Sequence, residues 1–151
     1  MILVGDRGKL HRAKKADINV GISSRITARR HIILLDLDRM SIHELRNRVR
    51  RIKNMYRLAH FYVLKSSRGH YHAVCFQLVP FSMLLRIMKQ LGDRRHYGYT
   101  KMRAHATLRI SRKSAKKSSR IRFIQKIKGT DRENVKLKNQ YFSLLGFEHG
   151  A

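Results

Sequence analysis

The sequence feature that most constrains the fold is the order of apolar patterns between residues 31 and 111. Short apolar or alternating runs are typical of strands, and an apolar repeat every three to four residues is typical of an amphipathic helix. The segments are, in chain order, the run 32–35, the helical repeat 42–56, the runs 61–64 and 73–79, a second helical repeat after Pro80, and the alternating segment 102–111. This β-α-β-β-α-β order predicts an α+β, ferredoxin-like or RRM-like antiparallel sheet with two helices on one face and the other face open.

Local signals mark the ends of the predicted elements. Ser41 followed by Glu44 is a capping box, which predicts that the first helix begins directly after Ser41. Pro80 predicts the start of the second helix, and Gly92 its C-terminal end. The lone cysteine, Cys75, lies in a strand-like apolar run, so we expect it to be a small buried hydrophobic side chain.

The patterns divide the chain into a folded domain and two flanks. We expect a basic N-terminal extension at 1–30, the βαββαβ domain at 31–111, and a basic C-terminal extension at 112–151. The isoleucines of 121–127 indicate a short strand or helix in the last segment. Asp131 is a candidate cap for a final short helix that would use Val135, Tyr141, Phe142 and Leu145.

The charge of the chain points to an anionic partner. Lysine and arginine number 35 against 9 acidic residues, for a formal net charge of +26. Self-repulsion of this size destabilises a compact state, and a polyanion relieves it with release of condensed counterions. No apolar run reaches the roughly 20 residues that span a bilayer, and no basic amphipathic helix carries Trp or Phe on its apolar face. Nucleic acid is therefore the expected partner and a membrane is not; one cysteine and no N-terminal secretory pattern indicate a cytoplasmic location.

Two polar clusters lie where a domain of this topology could hold a site. Asp36 and Asp38 end the first strand on the same face, so both carboxylates could bind one divalent cation. The turn after the second strand, with Ser66, Arg68, Gly69 and nearby His72, offers hydroxyl, guanidinium and imidazole groups suited to gripping a triphosphate. The simpler interpretations are strand-end carboxylates paired with cations such as Arg39, and hairpin histidines facing solvent or nucleic acid.

Together these residues resemble the archaeo-eukaryotic primase and primase-polymerase family, across roughly residues 31–110. The resemblance implies that Asp36 and Asp38 bind Mg²⁺ or Mn²⁺ and that Ser66, Arg68, Gly69 and His72 bind the incoming nucleotide. The family also has a third acid on a following strand, and the predicted strand 101–111 contains none; the nearest is Asp93. The favoured hypothesis is therefore a degenerate, non-catalytic copy that needs no cofactor.

A second resemblance uses the same hairpin. His70-Tyr71-His72 is similar to the paired metal ligands of HUH nickases and small transposases, which implies a tyrosine nucleophile. Tyr97, Tyr99 and Tyr141 are the candidates, and the pattern places only Tyr141 in a helix.

The hairpin is also similar to the RNA-recognition motif, whose third strand stacks bases on aromatic side chains. Tyr71 and Phe76 are present, but His70 and His72 stand where aromatics are expected.

The favoured function is that of a non-catalytic RNA-binding protein, similar in character to a ribosomal or ribosome-associated protein. RNA is favoured over DNA, although both present the same phosphates. The active primase-polymerase is the alternative, and the HUH-type protein ranks third. The residues expected to contact nucleic acid are Lys9, Arg12, Lys14, Lys15, Arg29 and Arg30 in the first flank, Arg103, His105 and Arg109 on the sheet, and Arg112, Lys113, Lys116, Lys117, Arg120 and Arg122 in the last.

Overall fold

The computed structural model describes residues 2–4, 20–91, 93–111 and 120–147. The elements along these ranges are β1 (Ile2–Val4), β2 (Val20–Ser23), β3 (His31–Asp38), α1 (Ile42–Tyr56), β4 (Phe61–Ser67), β5 (His70–Val79), α2 (Phe81–Leu91), α3 (Arg94–Arg103), β6 (Thr107–Arg109), β7 (Arg122–Ile127) and α4 (Val135–Leu144). Two sheets and packed helices confirm the α+β class.

The larger sheet contains four antiparallel strands in the order β3-β5-β4-β7. β4 and β5 form the predicted hairpin, and its turn ends at Gly69, whose φ of +74° is accessible to glycine without steric cost. β3 pairs with the other edge of β5 so that Asp36 lies opposite His72 and Asp38 opposite His70. The two acids and the two histidines therefore meet at one end of the sheet.

Helices α1 and α2 pack together against one face of this sheet. The Ser41 hydroxyl accepts a hydrogen bond from the Glu44 amide, which confirms the predicted start of α1. Arg46 Nε donates to Gln125 Oε1 over 2.5 Å, so α1 also contacts β7. α2 begins directly after Pro80, as predicted, whereas Gly92 lies outside the described residues.

The opposite face of the sheet is half covered, so the prediction of an open face is wrong. Phe142 of α4 packs edge-on against Tyr62 at 5.3 Å between ring centroids, and Tyr141 packs against Phe76 at 5.5 Å. Tyr62 of β4 and Phe76 of β5 point to this side because they alternate with the residues that face α1 and α2. The aromatic cluster covers the end of the sheet that is remote from Asp36.

The predicted fourth strand does not join the larger sheet, so the ferredoxin-like order is not confirmed. The Asp93 side chain caps a new helix, α3, which continues through Met102 and Arg103 to Ala104 at φ +63°. Only Thr107–Arg109 is extended, and it pairs antiparallel with β2 in a smaller sheet of order β1-β2-β6. β7, from the predicted C-terminal extension, takes the remaining edge of the larger sheet.

The predicted domain boundaries also change, because parts of both flanks belong to the folded body. Ile22 of β2 lies in the hydrophobic core, together with Ile127 of β7 and Phe142 of α4. The cap of α4 is Asn134 and not Asp131. Residues 5–19, 112–119 and 148–151 lie outside the described ranges.

The buried side chains of Ser24 and His31 lie where the two sheets are joined. Ser24, directly after β2, exchanges backbone and side-chain hydrogen bonds with Ala106 before β6, and its hydroxyl lies 2.9 Å from His31 Nδ1 at the start of β3.

Cys75, in the central strand β5, is buried as predicted, and burial raises the pKa of its thiol to about 12.

Candidate active site

A cleft lies at the uncovered end of the larger sheet, between that sheet, α3 and β6. Its floor is the paired ends of β3 and β5. His70 Nδ1 lies 2.5 Å from Asp38 Oδ1, and His72 Nε2 lies 3.9 Å from Asp36 Oδ1. The alternation of strand residues places all four side chains on the same face, as the sequence predicted for the two acids.

A third carboxylate, that of Asp93, completes an acidic cluster in this cleft. Each of Asp36, Asp38 and Asp93 offers a carboxylate oxygen that lies within 4.8 Å of the other two. The strand after the second helix, β6, carries no acid, as the sequence predicted. The third carboxylate of the cluster comes instead from the N-cap of α3, where Asp93 Oδ1 accepts a hydrogen bond from the His96 amide at 2.9 Å.

His96 holds α3 against the two sheets. Its Nδ1 accepts the amide hydrogen of Asp36 at 3.3 Å, and its Nε2 lies 3.0 Å from the carbonyl oxygen of Thr107. A neutral ring with its proton on Nε2 satisfies both contacts. Burial lowers the pKa of His96, which favours that neutral form. This one side chain thus connects β3, α3 and β6 behind the carboxylates.

The cleft has room for a small ligand and carries balanced charge. Its volume is about 340 Å³, within the range of roughly 300–1,000 Å³ that is usual for small-molecule sites. Three arginines, Arg95, Arg103 and Arg109, line it together with the three aspartates. Arg109 Nη2 donates to the Ser66 carbonyl oxygen at 3.4 Å, which ties β6 to β4. Burial lowers the pKa of Arg109, and the Asp36 charge acts in the opposite direction.

His72 lines the cleft next to Asp36, with its Nε2 on the side of the carboxylates. The side chain is only 3% exposed, and its Nδ1 has no hydrogen-bond partner among the residues that the structure describes. Burial, followed by electrostatic interaction with Arg109, His96 and His70, lowers the pKa of His72 to about 3. The ring is therefore neutral at physiological pH.

The donor set of the cleft fits a hard divalent cation. Carboxylate oxygens suit Mg²⁺ and Mn²⁺, and a neutral imidazole is an additional ligand that Mn²⁺ accepts. Three carboxylates within 4.8 Å repel one another, and a divalent cation removes that repulsion. When bound, such an ion supplies Lewis-acid polarisation of phosphoryl oxygens.

The predicted nucleotide-gripping turn is only partly in this cleft. Ser66 and His72 line it, as does Ser67. Arg68 is exposed, and neither it nor Gly69 is part of the lining. Gly69 serves the hairpin turn, and the guanidinium groups of the cleft come from α3 and β6.

The predicted nucleic-acid contacts are distributed over several surfaces. Arg103 and Arg109 lie in the cleft and not on an open sheet face, while His105 Nδ1 lies 3.3 Å from the Ser23 hydroxyl. The exposed members are Arg29, Arg30, Arg103, Arg120 and Arg122. Lys9, Arg12, Lys14, Lys15, Arg112, Lys113, Lys116 and Lys117 lie outside the described residues.

The positions of the candidate tyrosines also differ from the prediction. Tyr97 and Tyr99 lie in α3, so the prediction that only Tyr141 is helical is wrong. Tyr99 lines the cleft and is half exposed. Tyr141 is buried in the aromatic cluster of α4, and burial raises the pKa of its hydroxyl. Tyr99 is thus the tyrosine that a ligand in the cleft can reach.

Sequence reasoning missed α3 as a helix and, with it, the site residues Arg95 and His96. The segment 94–103 has no apolar periodicity, and it contains Gly98. The available signal was Asp93 itself, since aspartate is a preferred N-cap residue. Only the fold brings that cap to the end of β3.

Comparison of the chain with protein-family models, curated proteins and solved structures finds no match. Among the described residues, no helix has the length and apolar character needed to cross a membrane.

Proposed function

We propose that this protein is a nucleic-acid-binding, metal-dependent nucleotidyltransferase of the primase-polymerase type. The observation that carries the proposal is the convergence of the Asp36, Asp38 and Asp93 carboxylates in one cleft. The preference for a non-catalytic copy depended on the lack of an acid in the strand after the second helix; the carboxylate of Asp93, at the N-cap of α3, supports a catalytic role in its place. His72, whose Nε2 lies 3.9 Å from Asp36 Oδ1, adds a further ligand or hydrogen-bonding group.

Each group in the cleft has a role in this proposal. The three carboxylates hold one or two divalent cations. Arg109, which also lines the cleft, binds the phosphate oxygens of the incoming nucleotide, and the Ser66 and Ser67 segment borders the same space. His96 positions Asp36 and Asp93 relative to each other through its backbone contacts.

The macromolecular partner is a nucleic acid. The net charge of +26 supports a polyanionic template or substrate, and exposed arginines such as Arg29, Arg30 and Arg122 supply phosphate contacts away from the cleft. We infer a cytoplasmic location. RNA remains the favoured polymer because the basic chain is similar in character to ribosomal proteins, and association with the ribosome is the corresponding binding role.

The test is metal-dependent primer synthesis or extension by the full chain with Mg²⁺ or Mn²⁺. Asp93→Asn is the most informative variant, because asparagine caps a helix as well as aspartate but lacks the charge. We expect Asp93→Asn and the double variant Asp36→Asn/Asp38→Asn to lose activity by at least about 100-fold, with unchanged thermal stability for Asp93→Asn.

Asp131→Asn is the matched control. Asp131 is exposed and does not line the cleft, so its replacement changes the net charge equally and should leave activity unchanged. Salt-sensitive nucleic-acid binding without any metal-dependent synthesis would contradict the proposal and support the non-catalytic, RNA-binding role.

A second candidate function rests on Tyr99. A tyrosine on a helix, in a cleft that also contains His70 and His72, is the arrangement that HUH-type strand cleavage requires. This candidate predicts metal-dependent nicking of a single strand with a covalent protein–DNA product. Tyr99→Phe would abolish that product, whereas the nucleotidyltransferase would retain its activity in this variant.

A further inference from the structure

The outer face of α3 carries an exposed aromatic side chain between two cations at the rim of the cleft. Arg95, Tyr99 and Arg103 are spaced four residues apart, so they form one row along the helix. All three line the cleft, and Tyr99 is 51% exposed. The Arg103 guanidinium carbon lies 5.2 Å from the Tyr99 ring centroid, a distance that suits a cation–π contact.

Gly98 and Met102 widen this row into a flat surface. At 100° per residue, Gly98, Met102, Arg95, Tyr99 and Arg103 follow one another around about 140° of the helix. Met102 is 73% exposed. A Cβ added at Gly98 would meet nothing within 4 Å, so no packing contact in the described structure requires a glycine there. We call Arg95, Gly98, Tyr99, Met102 and Arg103 the α3 face.

The charge of the helix selects the kind of partner. Residues 94–103 contain Arg94, Arg95, Lys101 and Arg103 and no acidic residue. Exposed aromatic and thioether groups between cations match an unpaired nucleic acid, whose bases offer π-faces and whose phosphates lie on either side. A duplex keeps its bases stacked inside the helix and cannot use the tyrosine in this way. A membrane surface would require a broader apolar face than one tyrosine and one methionine provide.

We propose that the α3 face binds a single strand of nucleic acid, with one base stacked on Tyr99 and Met102 and the flanking phosphates held by Arg95 and Arg103. The bound nucleic-acid strand then enters the cleft along the row of Arg95, Tyr99 and Arg103, toward the carboxylates. This inference rests on the proposed nucleic-acid partner but not on catalysis, because the contacts involve no metal.

The test measures binding of the full chain in EDTA to fluorescein-labelled strands of roughly 15 nucleotides, as DNA and as RNA, and to the matching duplexes. We expect Tyr99→Ala to weaken single-strand binding about 5- to 100-fold, the range for loss of one stacked base. Duplex binding should change by less than about twofold, because it depends on phosphates alone. Tyr99→Phe should bind single strands as the wild type does, since stacking needs the ring and not the hydroxyl.

Matched variants separate the α3 face from general effects. Met102→Ala should weaken single-strand binding, while Met55→Ala, at a methionine of α1 that is also exposed, should not. Arg103→Gln should lower single-strand affinity more than duplex affinity. Arg51→Gln removes the same charge from the exposed side of α1 and should leave the ratio of the two affinities unchanged.

The outcomes distinguish this inference from the proposed function. Equal weakening of single-strand and duplex binding by Tyr99→Ala, or no effect on either, would overturn the α3 face even if primer extension were observed. A single-strand preference that depends on Tyr99 would support it even if extension were absent. Failure of the natural protein to bind any strand would overturn both.

Discussion

At the scale of single residues, Asp93 and His96 determine what the cleft can do. Asp93 is both the N-cap of α3 and the third carboxylate, and His96 connects its helix to β3 and β6. The sequence identifies Asp93 as a residue type that is common at helix N-caps. Its position next to Asp36 depends on the hydrogen bond between Asp36 and His96, which are 60 residues apart in the chain. A side chain's neighbours across such a distance are decided by packing and not by local propensity.

Buried histidines also make the protein sensitive to acid. His31 is 2% exposed, packs against the Phe81 ring at 5.1 Å, and lies 2.9 Å from the Ser24 hydroxyl. Burial, then the charges of Arg25 and His105, lower its pKa. Below pH of about 6.5 the unfolded chain binds a proton that the folded chain does not, so the free energy of unfolding falls as the pH falls.

We therefore expect His31→Gln to reduce the loss of stability between pH 7 and pH 5, whatever its effect at pH 7. Urea unfolding at both values measures the difference. His43→Gln, at an exposed position of α1, should retain the wild-type pH dependence. If His31→Gln and wild type lose the same free energy of unfolding between pH 7 and pH 5, this buried imidazole is not a source of the acid sensitivity.

At the scale of elements, β7 and α4 change the fold most relative to the sequence-based prediction. β7 fills the sheet edge beside β4, and α4 covers the half of the sheet that was expected to be open. Phe142 has the rings of Tyr62, Phe123 and Phe147 around it at 5.3–6.1 Å. β7 and α4 are therefore part of the folded core.

Truncation of Phe142 tests that role. We expect Phe142→Ala to lower the free energy of unfolding by about 3–5 kcal/mol, through lost burial and the cavity left in the aromatic cluster. Leu144→Ala, at a side chain of the same helix that is 43% exposed, should cost about 0.5 kcal/mol. Similar values for the two variants, measured by chemical denaturation, would mean that α4 does not contribute to the core.

At the scale of the whole molecule, the charge of +26 dominates association with polyanions. Three carboxylates are gathered in one cleft beside three arginines, and further cations are spread over the remaining surface, including Arg29, Arg30 and Arg122. The surface charge attracts a long polymer generally, whereas the carboxylate cluster is suited to hold a cation locally.

This charge predicts steep dependence of binding on ionic strength. We expect affinity for RNA and DNA to fall by about 10³–10⁵ between 50 and 200 mM salt, the loss for six to ten neutralised phosphates. Fluorescence anisotropy over a salt series measures the slope, and co-sedimentation with ribosomes over the same series tests the ribosomal role. An affinity that does not change with salt would contradict phosphate binding as the main source of association.

The sequence by itself determined the elements from β3 to α2, the buried strands among them and the excess of positive charge. Capping, turn chemistry and apolar periodicity act over a few residues, so Ser41, Gly69 and Pro80 could be interpreted without the fold. The tertiary structure decided the strand order, the covered sheet face and the third carboxylate. Those features depend on contacts between distant segments, whose free energy comes from burial that no local pattern records.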